Sequence, residues 1–476
     1  MDPRTGKTKV AIDFWCAKFQ LGQVSKILIV CPKFVADVWE SELATHATVP
    51  YEVYHWDQRE RKYTANGHGG LPIPHPNRLL VVITNYEAFG VPGRKIPTGK
   101  KDVNGNPKFR RSTKNGRIKN RNLVREWADH TTGITLDESH RIKSTGGRAA
   151  QTLVTLHRDA PYRVIMTGTP ITKASRAHDI WMQWRFLNPD RLDEWEDFDE
   201  FKNYFGRFIQ LPDVPVKMWK GARHFEELQA LMAKDAFSIA RDQCFDLPES
   251  DIQIVRVKLS RAAKAYDDMA ERMVAYIRQH TAEAPIPLVK VLRLAQITSG
   301  HVTTDKGEVI TVGREKLDAI MPLIENALDN GEKIVVAARF RPDLDCLYDA
   351  VRRISSRLPI FEIRGGMKRA WVTADLEKAR RLTGPCVHIV QPRAASLGID
   401  MSFASRMIWY SLTNSFVDYL QCCDRIALSR VSTTFTYMLA GGIDDLLYET
   451  LQADGQVARA IIRHPERLRR GYAADE

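Results

Sequence analysis

Short, unbroken apolar runs punctuate the first third of the chain: "KILIVCP" at 26–32, "RLLVVITNYE" at 78–87, "GITLDESH" at 133–140 and "YRVIMTGTP" at 162–170. They are rich in β-branched residues and bounded by polar turns. Such runs predict strands buried on both faces, as in a parallel sheet, rather than half-exposed alternating strands. Helical stretches lie between some of them, such as "KTKVAIDFWCAKF" at 7–19. From about 172 to 310 the pattern turns mostly helical, as in "AHDIWMQWRFLN" and "AAKAYDDMAERMVAYIRQH". A second strand series follows: "EKIVVAAR" at 332–339, "PIFEIR" at 359–364, "CVHIVQ" at 386–391, "RMIWYS" at 406–411 and "TFTYML" at 434–439. Strands alternating with helices predict an α/β fold in two lobes. The expected division is 1–240, carrying a helical extension over 172–240, and 241–476.

One segment breaks the pattern. Residues 93–125, "GRKIPTGKKDVNGNPKFRRSTKNGRIKNRNLVR", hold twelve Lys/Arg and one Asp, with no apolar period. This reads as a mobile basic loop inserted in the first lobe. It is either a solvated surface loop or a phosphate-contacting one. Its excess of +11 is nearly the whole net charge of +12, which favours an anionic partner such as nucleic acid. The remaining composition, 44% hydrophobic and 27% charged over 476 residues, is that of an ordinary globular protein. The seven cysteines include no CxxC pair, which argues against a zinc site and for reduced core thiols. No apolar run is long enough to span a bilayer, and the polar opening residues predict no secretory leader.

Candidate chemistry begins at "MDPRTGKTK". A phosphate-binding loop needs a glycine for close approach, a lysine for the β/γ-phosphates and a hydroxyl for magnesium. Gly6, Lys7 and Thr8 supply these. The usual first glycine would fall at Met1, and no strand precedes the loop. The expectation is therefore an internal start, with a strand and an adenine pocket lying upstream. "ITLDESH" at 134–140 ends a strand in two acids. Asp137 can hold magnesium and Glu138 can deprotonate an attacking water. The acids fall at the carboxyl end of a buried strand, where α/β sheets bind ligands. "VIMTGTPIT" (164–172), "SLGIDM" (396–401) and "QCCDRIALSR" (421–430) follow.

In this order the pieces resemble helicase superfamily 2 motors, and within them the Swi/Snf-type DNA translocases of small phage or prokaryotic type. "ILIVCPKFVADVWESEL" is similar to motif Ia, "VVITNYEAF" to motif Ib, "LDESHRIKS" to the DExH box and "TGTPIT" to motif III. "REKLDAIMPLIENALDNGEKIVVAARF" resembles the start of the second lobe and motif IV. "ASLGIDM" and "QCCDRIALSR" resemble motifs V and VI. The resemblance covers nearly the whole chain. It implies two RecA-like lobes of the P-loop NTPase class, with ATP and magnesium as cofactors and double-stranded DNA as partner. It further implies a monomeric motor in the cytoplasm of a bacterial or phage-infected cell, with a protein partner supplying specificity.

By matching position, the resemblance places Gly6, Lys7 and Thr8 on phosphate and magnesium, with Asp137 as metal ligand and Glu138 as catalytic base. His140, Thr167, Gly168 and Thr169 couple the site to DNA. Gln421, Gly398 and Asp400 face the nucleotide from the second lobe, and Arg425 stabilises the transferring phosphoryl charge. Lys33, Tyr86, Arg339, Arg341 and Arg364 lie in or near motif loops as candidate nucleic-acid contacts. The second motif VI arginine would fall at Leu428; Arg430 either replaces it or is a surface residue. Two rival functions stay open: a strand-separating helicase or restriction/repair motor, and a DNA-binding protein with an impaired ATPase.

Overall fold

A computed structural model describes residues 5–57, 62–65, 68–69, 74–89, 95–101, 107–111, 130–155, 160–168, 170–171, 176–209, 218–239, 243–244, 248–279, 288–304, 306–395, 399–426, 429 and 431–453. The chain folds into two compact units. One comprises Met1–Thr172, Arg176–Gly206 and Ala222–Arg241; the other is chiefly Asp242–Glu476.

The first unit is built on a seven-stranded sheet. Its strands are β1 (Lys26–Cys31), β2 (Tyr51–Asp57), β3 (Lys62–Ala65), β4 (His68–Gly69), β5 (Leu79–Asn85), and, after an insertion, β8 (Thr132–Asp137) and β9 (Tyr162–Met166). The order is β4-β3-β2-β5-β1-β8-β9. The five strands β2, β5, β1, β8 and β9 run parallel, and β3 and β4 are added antiparallel. β1 and β8 are buried along their whole length and β5 nearly so, as their unbroken apolar runs require. The insertion between β5 and β8 carries an antiparallel pair, β6 (Lys95–Lys101) with β7 (Pro107–Arg111). The 93–125 segment is thus paired in part, where its polar composition predicted only loop. Its other residues lie outside the described ones.

Helix α1 (Lys7–Gln20) and helix α2 (Ala36–His46) lie against this sheet. Trp15 fixes α1. Its indole N–H donates to Thr135 Oγ1 at 2.7 Å, and its ring fills the space beside Gly133, where a Cβ would stand 2.4 Å from the ring. Close packing of this kind leaves no room for a side chain at position 133.

The second unit has a six-stranded sheet of order β12-β19-β18-β15-β17-β16, with every pairing parallel. Its strands are β12 (Asp251–Arg256), β15 (Lys333–Ala337), β16 (Ile360–Ile363), β17 (Cys386–Val390), β18 (Arg406–Trp409) and β19 (Thr434–Leu439). The stretch from 172 to 310, mostly helical by its pattern, also supplies β10 (Gly206–Ile209), β11 (Met218–Ala222), β12 and β13 (His301–Thr303), the last paired with β14 (Val309–Thr311). The core includes a buried ion pair, Lys316 Nζ to Asp444 Oδ2 at 2.7 Å. Thr298 Oγ1 and the Ala440 N–H also donate to Asp444, and Lys316 donates to the Tyr410 carbonyl. Buried charges persist where the remaining polar atoms are satisfied in this way. Two parallel sheets carrying helices make the fold α/β throughout.

Candidate active site

The described start of α1, Thr5 and Gly6 followed by Lys7, suits a phosphate. Gly6 caps the helix at φ 84°, ψ 18°, a left-handed conformation natural to glycine. Gly6 has no side chain with which to cap this helix end. Its first-turn N–H groups and positive dipole end suit an anion. Lys7 is the first helical residue, with Thr8 beside it in the first turn. The Lys7 charge acts on both acids at the end of β8 and lowers both of their pKa values.

Those acids are driven apart. Burial pushes the Asp137 carboxyl up to about 6, and the neighbouring Glu138 charge adds to it; the Trp39 hydrogen bond and Lys7 oppose the rise. Trp39 Nε1 on α2 donates to Asp137 Oδ2 at 3.0 Å, and the Tyr86 hydroxyl donates to the Asp137 carbonyl at 2.7 Å. Burial would also raise Glu138. There, however, the hydrogen bond and charge of His140 outweigh it together with Lys7 and Thr167, so this carboxyl lies below its ordinary range. Glu138 Oε2 sits 3.2 Å from His140 Nδ1 and accepts from Thr167 Oγ1 at 3.3 Å. His140 Nδ1 and Thr167 Oγ1 are 3.1 Å apart, which closes a three-membered cluster. The two adjacent carboxyls thus sit in different environments, Asp137 buried against Trp39 and Glu138 held by His140 and Thr167. Glu138 is held ionised and able to take a proton. Asp137 is a buried carboxylate whose charge a cation would offset. Oxygen donors at Asp137 and Thr8 fit the hard-ligand preference of magnesium.

Glu138 also has the backbone of a strained site. At φ 55°, ψ 53° it is one of two non-glycine residues with positive φ among the described residues. This conformation costs roughly 1–2 kcal/mol in a non-glycine residue. Such strain persists only where the surroundings over-determine it.

Three partners of this site were not singled out in the sequence: Trp39, which lies within the motif Ia stretch, and Gln183 and Asp179, which lie outside the motifs. Gln183 is fully buried and receives the Ser139 hydroxyl at 2.7 Å. Asp179, also fully buried, lies 3.9 Å from Lys143 Nζ and 3.3 Å from Arg176 Nε. The one hint in the sequence is a lone amide in the apolar helix "WMQWRFL" (Trp181–Leu187).

In the second unit, Arg425 follows the helix Phe416–Cys423, and only 9% of it is exposed. Its guanidinium donates to the carbonyls of Gln421 at 2.7 Å and Ile399 at 3.2 Å. The Met401 N–H donates back to the Arg425 carbonyl at 3.0 Å. The motif V and VI segments are therefore laced together around Arg425. Asp400 is ion-paired to Arg380 at 2.9 Å.

The candidate nucleic-acid residues divide by environment. Lys33 and Arg341 are exposed, and Arg341 donates to the Gly365 carbonyl at 3.0 Å. Arg364 is clasped by Asp345 and Glu362, each at 2.7 Å. Burial lowers the Arg339 guanidinium, partly offset by Asp343. Tyr86 is buried and serves the Asp137 carbonyl, so its hydroxyl supports the acidic loop instead of facing outward. Thr169, Gly398 and Arg430 lie outside the described residues.

Residues 3–299 match the family described as SNF2-related domain, and residues 315–428 match the helicase conserved C-terminal domain. Among curated proteins, an uncharacterized ATP-dependent helicase of Mycoplasma genitalium is 24% identical over 302 residues, which cover 61% of this chain and 26% of that protein. Protein CHROMATIN REMODELING 24 of Arabidopsis thaliana is 21% identical, over 98% of this chain and 44% of that protein. The chain thus spans less than half the length of these relatives. A solved SWI2/SNF2 ATPase core of Sulfolobus solfataricus in complex with dsDNA is 20% identical, covering 99% of this chain and 92% of that chain, with a TM-score of 0.39. The strand pairings described above carry the fold without that superposition.

Proposed function

Since the chain belongs to the SNF2-related family of helicase superfamily 2 ATPases, we propose that it hydrolyses ATP to move along double-stranded DNA. The observation that carries this reading is the pair of acids at the end of β8: the Glu138 carboxylate is held by His140 Nδ1 at 3.2 Å and Thr167 Oγ1 at 3.3 Å, beside a buried Asp137 held by Trp39 at 3.0 Å.

In the proposed reaction Lys7 and the first turn of α1 bind the β- and γ-phosphates. Thr8 and Asp137 would hold magnesium, which would supply neutralisation of the phosphate charge. Glu138 orients the attacking water and takes its proton, while His140 and Thr167 hold its carboxylate in place. Arg425 stabilises the charge that spreads over the transferring phosphoryl group. His140, Thr167, Gly168 and Thr169 relay the state of this site to DNA.

The partner is proposed from charge. The chain carries +12 overall, concentrated in the 93–125 insertion, and a motor that steps along any sequence must grip the phosphate backbone. No helix among the described residues is long and apolar enough to cross a membrane. We further assign it as a monomeric motor of the bacterial or phage-infected cytoplasm, directed by a protein partner.

The test is ATP hydrolysis measured without DNA, with single strands and with duplex, alongside displacement of a triplex-forming strand. Duplex-stimulated hydrolysis with triplex displacement is expected. Stimulation by single strands alone, with duplex unwinding, would replace translocation by strand separation. No hydrolysis under any condition would overturn the motor reading.

A further inference from the structure

We propose that Gln183 is a positioning residue that ties Ser139, the residue after Glu138, to the Pro170 carbonyl and so sets the geometry of the catalytic base. The inference rests on the ATPase reading above and adds to it a residue outside the motifs.

Gln183 lies in the helix Trp181–Leu187, among buried Trp181, Met182, Trp184 and Phe186. A primary amide in such surroundings is costly unless its hydrogen bonds are made. All three of its bonds are short. Oε1 accepts from Ser139 Oγ at 2.7 Å, and Nε2 donates to the Pro170 carbonyl at 2.6 Å and the Asp179 carbonyl at 2.9 Å. The chemistry fixes its orientation. Two carbonyls can only accept, so the NH₂ must face them and the oxygen must face Ser139. The Ser139 hydroxyl is therefore the donor.

The two outer bonds fall on the two loops that form the site. Ser139 directly follows Glu138 and is itself fully buried. Pro170 lies three positions after Thr167, the residue that donates to the Glu138 carboxylate. One amide thus holds the side chain of the residue next to the base and the Pro170 carbonyl, three positions after the base's own partner. On the other side of Glu138, Asp137 is held by Trp39 and Tyr86. The left-handed Glu138 backbone therefore stands between two pinned neighbours, and Gln183 supplies one of the pins. Without that pin the loop can relax towards an ordinary backbone, carrying the carboxylate away from His140 and Thr167.

A purely structural amide would affect stability and leave the chemistry of the folded enzyme alone. The test separates the two with Ser139→Ala, Gln183→Leu and the double variant, each measured for melting temperature, ATP KM and duplex-stimulated kcat. The double variant removes both partners of the Ser139 bond, which guards against a single variant that does not fold. The expected result is a kcat loss of roughly 10- to 100-fold at saturating ATP. KM should stay near wild type, and the double variant should be no worse in kcat than Gln183→Leu alone. Folded Ser139→Ala and double variants with kcat close to wild type would overturn the positioning role, whatever their melting temperatures. A wild-type chain that hydrolyses no ATP would instead overturn the functional reading beneath it.

Discussion

Trp39 donates its indole N–H to Oδ2 of Asp137 across 3.0 Å, although 98 positions separate them in sequence. The bond ties helix α2 to the proposed metal ligand. Because α2 follows directly on the exposed Lys33 loop, the same helix links a candidate DNA contact to the nucleotide site. Trp39→Phe keeps most of the buried volume and removes the donor. Partners that orient a metal ligand are worth roughly 10- to 100-fold in metal affinity. The magnesium concentration for half-maximal ATPase activity should rise by about that range, and direct manganese binding should weaken in parallel. Unchanged manganese binding would free Asp137 from any dependence on Trp39.

Glu138→Gln should bind ATP and magnesium normally yet turn over at least ~100-fold more slowly, as expected for loss of a general base. The amide keeps the side-chain size, so binding and chemistry separate cleanly. Nucleotide affinity by titration and single-turnover hydrolysis read the two steps. Undiminished duplex-stimulated hydrolysis would remove Glu138 from the mechanism.

Gly133→Ala tests how the phosphate loop is placed. The added Cβ would meet the Trp15 ring at 2.4 Å, so the indole and α1 must shift. Overpacking of this sort costs roughly 1–3 kcal/mol. Because α1 starts at Lys7, weaker ATP binding should accompany the lowered melting temperature. A drop in stability with unaltered ATP affinity would mean that α1 accommodates the methyl without moving its N-terminus.

Strands β1, β5 and β8 were legible because a strand buried on both faces leaves a continuous apolar run. β2, "YEVYHWD", mixes apolar and polar residues and gave no such run. β12 is an edge strand whose residues are nearly all exposed, so its pairing with β19 left no apolar run to read. The same logic divides the site. Gly6 with Lys7, and Asp137 with Glu138, are neighbours in sequence and act as neighbours in space. The bonds from Trp39, Tyr86 and Ser139 span 98, 51 and 44 positions. Those partners are chosen by strand order and helix placement, which local patterns do not encode.

His388 gives the second unit a sensitivity to acid. It lies within β17, fully buried, stacked on Phe361 at 4.9 Å, and its Nε2 finds no hydrogen-bond partner among the described residues. Burial pulls the imidazole from its ordinary 6.5 down to about 3, and the Lys333 charge adds to the shift. Between those values the unfolded chain binds a proton that the folded chain refuses, so stability falls as pH drops through this window. It is unaffected above about 6.5. The slope approaches about 1.4 kcal/mol per pH unit from this one group. His388→Phe should flatten the fall in melting temperature between pH 6.5 and 4. An identical pH dependence in the variant would assign the acid sensitivity to other groups.

The basic insertion can be removed without cutting the sheet, because β6 and β7 pair with each other and not with the seven-stranded sheet. Lys95 stands opposite Arg111, so the two ends of the hairpin are neighbours and a short Gly-Ser link can replace residues 95–111. The excised segment holds six Lys/Arg and one Asp. If its charges neutralise Z phosphates of duplex DNA, log affinity against log salt should flatten by about 0.9Z in the deletion. The loss of affinity should be largest at low salt and fade as salt rises. ATPase activity without DNA should stay as in the parent, since no residue assigned to the nucleotide site lies in the excised stretch. A deletion variant with the parent's salt slope would make the insertion a solvated surface feature, and the DNA grip would have to come from Lys33, Arg341 and other exposed cations.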